Sequence, residues 1–372
     1  MKYYIIAGEA SGDLHGSNLI KALKKLDANA QFKCWGGDLM AKAGGELVKH
    51  YRDLAFMGFV EVVANLGTIL KNIRFCKDDI SAYQPDALIL IDYPGFNLRI
   101  ARFAKEQGIP VHYYISPQLW AWKENRIKKI KRDIDNMYVI LPFEKDFYEN
   151  KHLFPVYFVG HPLLDSLANR THINEEDFRK TYALNDKPII ALLPGSRKQE
   201  INKMLAVMLK ITPKYPDYQF VIAGAPSQEK SFYEPFIKNS EIAFISDKTY
   251  DLLSVSYAAL VTSGTATLET ALFKVPEVVC YKGSAISYHI GKQLVKIKYI
   301  SLVNLVLDKE AVTELIQSDF NEKRLAEELD KILHPKHREQ LFLDYFELEK
   351  KLGGKGASEK TAKLIYKSLA KD

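Results

Sequence analysis

The chain has 372 residues, of which 47% are hydrophobic and 26% are charged, and its formal net charge is +6. This length predicts two domains with their own cores, and so mild a charge gives no reason to predict a nucleic-acid partner. The cysteines Cys34, Cys76 and Cys280 are far apart, which excludes a disulfide framework and a zinc site of paired cysteines. No uncharged apolar stretch reaches the roughly 18 residues of a membrane span, and the first residues indicate a strand rather than a signal peptide.

Short apolar runs alternate with helical patterns along most of the chain, which predicts an α/β protein with doubly wound parallel sheets. The predicted strands of the first half are Tyr3–Ala7, Phe32–Trp35, Ala87–Ile91, Val111–Ile115, Met137–Ile140 and Val156–Val159. Those of the second half are Ile189–Leu193, Phe220–Ala223, Ile242–Ile245, Ala259–Thr262 and Val278–Tyr281. Because a polar stretch separates the two series, we predict domains over residues 1–165 and 166–340, followed by a helical tail, residues 341–372, that packs across both.

The first predicted strand leads into a turn with three glycines, Gly8, Gly12 and Gly16. A dinucleotide site would need the pattern G-x-G-x-x-G, whereas these glycines are spaced four and four. The polar residues of the turn are Glu9, Ser11, Asp13 and His15. Acidic groups at a helix N-terminus discourage a pyrophosphate, so the turn indicates a site for something other than nucleotide phosphates.

An apolar stripe follows in the segment LAFMGFVEVVANLGTILKNI. Its apolar residues recur at intervals of three and four, which predicts an amphipathic helix. They are Phe59, Val62, Val63, Leu66, Ile69 and Leu70. Such a stripe is most often part of the core. Because the flanks are basic, contact with a membrane is the second interpretation.

Two later turns of the first half carry polar residues directly after predicted strands. Asp92 follows an apolar strand, and Asn97 is positioned to cap the next helix. A carboxylate at a strand end is a candidate general base if burial raises its pKa, or else a residue of an Asx turn. Ser116 ends the next strand, and Trp120 and Trp122 precede a helix with six basic residues. This combination suits a phosphate-bearing amphiphile or an anionic membrane surface, or else a solvated helix face.

Two strand-to-helix turns of the second half have the composition of anion sites. Gly195 allows close approach of the backbone, and Arg197 offers a planar fork for phosphate. Ser263–Thr265 begins another helix, whose first N–H groups would face an anion. Glu269, one turn further, would hold ribose hydroxyls. The turns together predict a nucleotide-diphosphate site. The alternatives are an ordinary turn with an exposed arginine and a helix cap with a surface glutamate.

Nine short motifs occur in order along most of the chain, and their ordered combination is specific although each motif alone is weak. They are AGEASGD, MGFVEV, DYPGFN, SPQLWAW, LPFE, VGHPL, LLPGSR, SGTATLE and SLVNL. This series resembles the lipid-A-disaccharide synthases, a family of bacterial glycosyltransferases, over nearly the whole chain. Val303 and Thr313 depart from the family's pattern, because proline often stands at these two positions.

The resemblance implies a GT-B fold, in which two Rossmann-like doubly wound domains face each other across a cleft. The N-terminal domain would bind the acceptor and the C-terminal domain the UDP-sugar. It implies transfer of 2,3-diacylglucosamine from UDP-2,3-diacylglucosamine to 2,3-diacylglucosamine 1-phosphate, giving a β-1,6-linked disaccharide 1-phosphate and UDP. The resemblance further implies an inverting reaction that requires no metal or organic cofactor. The acylated substrates imply peripheral binding to the anionic cytoplasmic face of the inner membrane, and a homodimer is a candidate assembly.

The resemblance also assigns roles to residues of this chain. Asp92 is the first candidate for the catalytic base and Glu9 the second. The predicted contacts to the donor are Gly195, Ser196, Arg197, Ser263, Gly264, Thr265, Glu269 and Asn304. The predicted contacts to the acceptor are Ser11, Asp13, Asn97, Ser116 and Trp120, and the six residues of the apolar stripe are predicted to contact the membrane. The rival functions are another GT-B enzyme of UDP-sugars, such as an epimerase, and a noncatalytic protein that binds UDP-sugars or lipids.

Overall fold

The computed structural model describes residues 1–54, 66–168, 170, 172–238, 240–283 and 298–370. The chain forms two compact units. The first unit combines Met1–Ala168 with Leu352–Asp372, and the second unit is Asn169–Lys351. Each unit is built around one parallel β-sheet and has its own hydrophobic core.

The sheet of the first unit has its strands in the order β3-β2-β1-β4-β5-β6-β7. The strands are β1 (Lys2–Ala7), β2 (Gln31–Gly36), β3 (Glu46–His50), β4 (Ala87–Ile91), β5 (Val111–Tyr114), β6 (Asn136–Val139) and β7 (Tyr157–Phe158). The helices before the chain leaves this unit are α1 (Ala10–Leu26), α2 (Asp38–Lys42), α3 (Leu66–Tyr83), α4 (Pro94–Glu106), α5 (Ile127–Asp133), α6 (Pro142–Asp146) and α7 (Leu163–Ala168). All five residues of β4 are buried, as expected for a central parallel strand covered on both faces.

The sheet of the second unit has the order β10-β9-β8-β11-β12-β13. Its strands are β8 (Ile189–Leu193), β9 (Gln219–Gly224), β10 (Ala243–Ser246), β11 (Ser256–Thr262), β12 (Glu277–Tyr281) and β13 (Glu314–Ile316). Its helices are α8 (Glu175–Thr181), α9 (Lys198–Ile211), α10 (Lys230–Ile237), α11 (Thr249–Val255), α12 (Thr265–Leu272), α13 (Leu302–Leu307), α14 (Glu322–Leu333) and α15 (Pro335–Lys351).

The C-terminal part of the chain is divided between the two units. α15 belongs to the second unit, and the last helix, α16 (Ala357–Leu369), belongs to the first unit, where it packs against α1. The Asp165 carboxylate accepts the backbone N–H groups of Gly356 and Ser358 at 2.6 and 2.9 Å and thereby caps α16. The predicted boundary between residues 340 and 341 therefore lies inside α15, and the second unit ends at Lys351.

Two strands were not predicted from the sequence, and both lie at sheet edges. β3 and β13 are short, and most of their side chains are half-buried. An edge strand is covered incompletely, so charged residues such as Glu46 and Glu314 are tolerated in it and no apolar run marks it.

The three glycines of the first turn make room for side chains of the same unit. A Cβ atom at Gly8 would lie 2.4 Å from the ring of Tyr93, and one at Gly16 would lie 2.7 Å from Met40 Sδ. A Cβ at Gly12 would lie 3.0 Å from a neighbouring side chain of β1. Gly12 and Gly16, four residues apart, therefore lie on one face of α1 that packs closely on the first unit, and Gly8 lies in the turn before this helix.

Candidate active site

In the first unit the strand order reverses between β1 and β4, which lie side by side at the centre of the sheet. Ala7 at the end of β1 pairs with Ile91 at the end of β4. Glu9 and Asp92 follow these residues, so both predicted carboxylates lie at the same edge of the sheet. Ligands of doubly wound sheets bind beyond the carboxyl ends of the strands at this reversal. The first unit therefore has an acidic site at its expected ligand position.

The backbone at Asp92 has an unusual conformation. Asp92 and the next residue, Tyr93, both have positive φ angles, of 43° and 51°. Asn97 Nδ2 and the Tyr113 hydroxyl each donate a hydrogen bond of 2.6 Å to the Asp92 carbonyl oxygen. Residues other than glycine adopt left-handed conformations only at a cost in free energy. The two donors that bind this carbonyl hold the Asp92 backbone in its left-handed conformation at the sheet edge.

The Asp92 carboxyl also has an altered acidity. Its side chain reaches solvent, yet the surrounding protein removes much of its hydration. This desolvation, together with the negative charge of Glu9, raises the pKa of Asp92 to about 7. A carboxyl with such a pKa can accept a proton near neutral pH, as a general base must. Glu9 is exposed beside it, directly before α1.

Two of the predicted acceptor residues form hydrogen bonds to the backbone of the first unit. Asn97 is fully buried, and its side-chain amide donates to the Asp92 carbonyl. The Asp13 carboxylate accepts three backbone N–H groups at the start of α2, at 2.8, 3.1 and 3.0 Å. Both side chains therefore position the site's backbone. Ser11, in contrast, is exposed in the first turn of α1.

The other two predicted acceptor residues, Ser116 and Trp120, converge on Glu144, which sequence reasoning missed. Ser116 Oγ and Trp120 Nε1 donate to Glu144 Oε1 at 2.7 and 3.3 Å. Glu144 Oε2 accepts the backbone N–H groups of Ile140 and Leu141. Burial raises the pKa of Glu144, and these donors oppose that effect. The motif LPFE contained the signal, because a glutamate in the first turn of a helix often accepts backbone N–H groups there.

In the second unit the strand order reverses between β8 and β11, where Leu193 pairs with Val261. The predicted anion turns, residues 194–197 and 263–265, follow these strands and lie at the same edge. α9 and α12 begin at these turns, and the first N–H groups of a helix have no acceptor within the helix. Two helix N-termini at one edge favour binding of an anion.

The turn after β8 contains a glycine with a left-handed backbone and an exposed arginine. Gly195 has a φ angle of +102°, which glycine adopts without strain. Arg197 is exposed immediately before α9. Glu200 Oε2 lies 3.4 Å from the Ser196 backbone nitrogen, so one carboxylate lies beneath this turn. Arg197 is the basic residue of this turn, and Lys198 follows it as the first residue of α9.

The turn after β11 is followed by Glu269, one turn into α12. Glu269 Oε1 accepts a hydrogen bond of 2.7 Å from the Tyr250 hydroxyl, at the start of α11. Burial raises the pKa of Glu269, and the hydrogen bond from Tyr250 lowers it. No sequence signal connected Tyr250 with Glu269, because the pair arises only when α11 and α12 pack on the sheet.

Asn304, a predicted donor contact, has its amide engaged inside the second unit. The side chain is fully buried. Its Oδ1 accepts the backbone N–H groups of Ala311 and Val312, and its Nδ2 donates to the Val312 carbonyl and to Glu314 Oε1. Because both ends of the amide are paired within the unit, we do not carry Asn304 into the donor site.

The predicted membrane stripe lies only partly within the described residues. Phe59, Val62 and Val63 lie outside them, as does the side chain of Leu66. Ile69 packs against the core of the first unit, whereas Leu70 is exposed on α3. The described part of the stripe therefore contains one core residue and one surface residue.

Neither a metal cluster nor a membrane span is found among the described residues. They contain no group of three or more His, Cys, Asp or Glu side chains that could hold a metal ion. Among their helices, none has both the length and the apolar character that crossing a membrane requires.

Comparison with known protein families shows to which family this chain belongs. The model of the family described as lipid-A-disaccharide synthetase matches residues 3–366. The chain belongs to this family. A lipid-A-disaccharide synthase of Geobacter metallireducens is 40% identical over 99% of the chain and 97% of its own length. One of Coxiella burnetii is 38% identical over 97% of each chain. The family prediction is confirmed, and with it the prediction of a glycosyltransferase.

Comparison with solved structures confirms the fold prediction. UDP-GlcNAc 2-epimerase of Neisseria meningitidis, bound to UDP-GlcNAc, is 14% identical, with a TM-score of 0.69 and full coverage of both chains. S. aureus MnaA, solved with UDP, is 13% identical, with a TM-score of 0.72 over 100% of this chain and 98% of that one. At such identities the likeness concerns the fold alone. The chain is an α/β protein with two Rossmann-like domains of the GT-B class.

Proposed function

We propose that this protein transfers 2,3-diacylglucosamine from UDP-2,3-diacylglucosamine to the 6-hydroxyl of 2,3-diacylglucosamine 1-phosphate. The products are the β-1,6-linked lipid A disaccharide 1-phosphate and UDP. Within this family, the proposal is carried by the groups that lie where the strand order reverses in each of the two sheets. A carboxyl with a raised pKa, Asp92, lies at the first, and two helix N-termini with Arg197 lie at the second.

Asp92 acts as the general base in this proposal. Its carboxylate takes the proton of the acceptor's 6-hydroxyl while that oxygen forms a bond to the anomeric carbon of the donor. The bond from this carbon to the diphosphate oxygen breaks, and UDP leaves with the electron pair, so the anomeric configuration inverts. The negative charge of Glu9 raises the pKa of Asp92, which makes Asp92 a stronger base. Glu9 and Ser11 are then available to contact the acceptor.

The second unit holds the donor and stabilises the leaving group. Arg197 and the N–H groups at the starts of α9 and α12 compensate the charge that develops on UDP. Gly195 and Gly264 let the diphosphate approach the backbone, and Glu269 accepts hydrogen bonds from ribose hydroxyls. The other residues of the two turns in the proposed donor site are Ser196, Ser263 and Thr265. No metal or organic cofactor enters this scheme.

The acyl chains suggest a lipid surface as the place of reaction. We propose that the protein binds peripherally to an anionic membrane, on the cytoplasmic face of the inner membrane. The exposed Leu70 and Phe75 on α3, and the exposed Trp122 before α5, are compatible with such contact. The test is flotation with anionic and neutral vesicles, in which only anionic vesicles should retain the protein. A homodimer is a candidate assembly, which sedimentation across a range of protein concentrations would test.

Product analysis tests the proposed reaction. Purified protein is mixed with the diacylated UDP-sugar in mixed micelles, with and without the acylated sugar phosphate. We expect UDP and a tetraacyl disaccharide only when the acceptor is present. UDP release without acceptor would indicate an epimerase-like or hydrolytic reaction instead. UDP binding without any turnover would favour a noncatalytic binding protein.

A further inference from the structure

Glu314, at the start of β13, connects the segment before α13 to the edge strand of the second sheet. Its Oε2 accepts the backbone N–H of Ile300, and its Oε1 accepts the N–H of Ser301, both at 2.9 Å. Oε1 also accepts a hydrogen bond of 2.9 Å from Asn304 Nδ2. We call Glu314, Asn304 and the segment Ile300–Ser301 the Glu314 clamp. Three donors converge on one carboxyl group whose side chain is only half-buried.

Asn304 extends the clamp on its other side. Its Oδ1 accepts the backbone N–H groups of Ala311 and Val312 at 2.8 and 3.0 Å, and its Nδ2 donates to the Val312 carbonyl at 2.8 Å. Ser301 Oγ accepts the Asn304 backbone N–H and caps α13. The segment before α13 is therefore fixed to the chain that enters β13 by a network of paired polar groups.

The clamp reaches the proposed donor site through one hydrogen bond. Ser263 Oγ donates to the Ile300 carbonyl at 3.0 Å, so the Ser263 hydroxyl proton is committed to the clamp. Ser263 begins the turn that leads into α12, and its own N–H donates to the Cys280 carbonyl. A hydroxyl whose proton is used in this way has only lone pairs to offer to a phosphate. The anion would accordingly meet the backbone N–H groups that begin α12 rather than the Ser263 hydroxyl.

We propose that Glu314 is a positioning residue of the donor site, which acts on UDP through Ile300 and Ser263. The proposal rests on the proposed function, since it takes the turn of residues 263–265 to be the diphosphate site. Glu314 orients the Ile300 carbonyl, the carbonyl orients Ser263, and the N–H groups that start α12 are thereby held toward the ligand. Preorganised donors of this kind bind an anion without being rearranged at the moment of binding.

Glu314→Gln tests the clamp, and Glu328→Gln is its matched control. Glutamine would direct an amide N–H₂ at N–H donors that now face a carboxyl oxygen. Glu328 is also a carboxylate of this unit and accepts from the Thr313 hydroxyl, Arg324 and Lys331, without contact to residues 300–301. We expect Glu314→Gln to weaken UDP binding about tenfold in calorimetry and to raise the donor KM similarly, with the acceptor KM unchanged. Glu328→Gln should leave UDP affinity within about twofold.

A double-mutant cycle separates a positioning role from a merely structural one. If Glu314 acts through Ser263, the variant with both Glu314→Gln and Ser263→Ala should bind UDP no more weakly than the weaker single variant. Multiplicative losses, or unchanged UDP affinity of a folded Glu314→Gln protein, would overturn the positioning role. With either of these outcomes, weaker UDP binding by Ser263→Ala would still support the proposed donor site. If the wild-type protein does not bind UDP, the proposed donor site is wrong, and so is the role of the Glu314 clamp.

Hydrogen exchange on the wild-type protein gives a test that does not depend on folding of a variant. We expect the amides of Ile300 and Ser301 to exchange more slowly when UDP is added, together with those of residues 264–266. Slower exchange at residues 264–266 without any change at Ile300 and Ser301 would show that the clamp is not coupled to the ligand.

Discussion

In the first unit, the turns after β1 and β4 present carboxyl groups, and the left-handed backbone of Asp92 is fixed by Asn97 and Tyr113. In the second unit, the turns after β8 and β11 present glycines, an arginine and the starts of two helices. Both pairs of turns occupy the same topological position, where the strand order reverses. The difference shows that the sheet determines where the site lies. A few turn residues determine whether that site is suited to proton transfer or to anion binding.

The largest effect should come from the carboxyl group of the first unit. Asp92→Asn keeps the side chain's size but removes the proton acceptor, so we expect kcat to fall by about 10²–10⁴-fold. UDP affinity should stay unchanged, because the proposed donor site is in the other unit. The measurement is disaccharide formation in mixed micelles, with UDP binding measured in parallel.

Asp217→Asn is the control for this variant, since Asp217 is an exposed carboxylate in a surface turn. It should retain full turnover. If Asp92→Asn has the kcat of the wild-type protein and binds UDP equally well, Asp92 is not the base. The contrast between the two units would then be wrong.

The next effect should come from the cation of the second unit. Arg197→Ala removes the charge that compensates the departing diphosphate, and we expect kcat/KM for the donor to fall about 10- to 100-fold. Arg197→Lys should restore part of the loss, because an ammonium supplies charge without the planar fork. Initial rates over a range of donor concentrations measure both effects.

The neighbouring Lys198→Ala is the matched control, because it removes the same charge one residue along, from an exposed side chain. Equal losses in the two variants would mean that Arg197 contributes only general positive charge to the second unit.

A smaller effect should follow from removing the hydrogen bond that Tyr250 donates to Glu269. Tyr250→Phe removes the donor to Glu269 Oε1, so we expect donor KM to rise about three- to tenfold with kcat nearly unchanged. The pKa of Glu269, already raised by burial, should rise further without this hydrogen bond. The increase in donor KM should therefore be greater in mildly acidic buffer than at pH 8. An increase that does not depend on pH would contradict the role of the Glu269 charge.

The sequence predicted what is determined locally. Interior strands such as Ala87–Ile91 form continuous apolar runs, and the turns that follow them are adjacent in the chain, so Asp92 and Arg197 could be singled out. The edge strands Glu46–His50 and Glu314–Ile316 were missed because incomplete burial leaves no apolar run.

Contacts between distant segments could not be predicted in this way. Glu144, Tyr250 and Glu314 reach their partners only after packing brings separate turns and helices together. The same packing buries Asn97 and Asn304. Asn97 Nδ2 donates to the Asp92 carbonyl, and both ends of the Asn304 amide are paired inside the protein. A polar residue after a strand can thus hold the site in shape as readily as it can contact a ligand.

The pH dependence of kcat/KM in Glu9→Gln tests the central claim, that Asp92 is the base, most directly. In the wild-type protein the rate should fall on the acidic side with a midpoint near pH 7, since Asp92 must be deprotonated to act. Removing the negative charge of Glu9 lowers the pKa of Asp92, so the variant should stay active and its midpoint should move to lower pH. Loss of activity at every pH, with UDP binding intact, would make Glu9 the base and contradict the account.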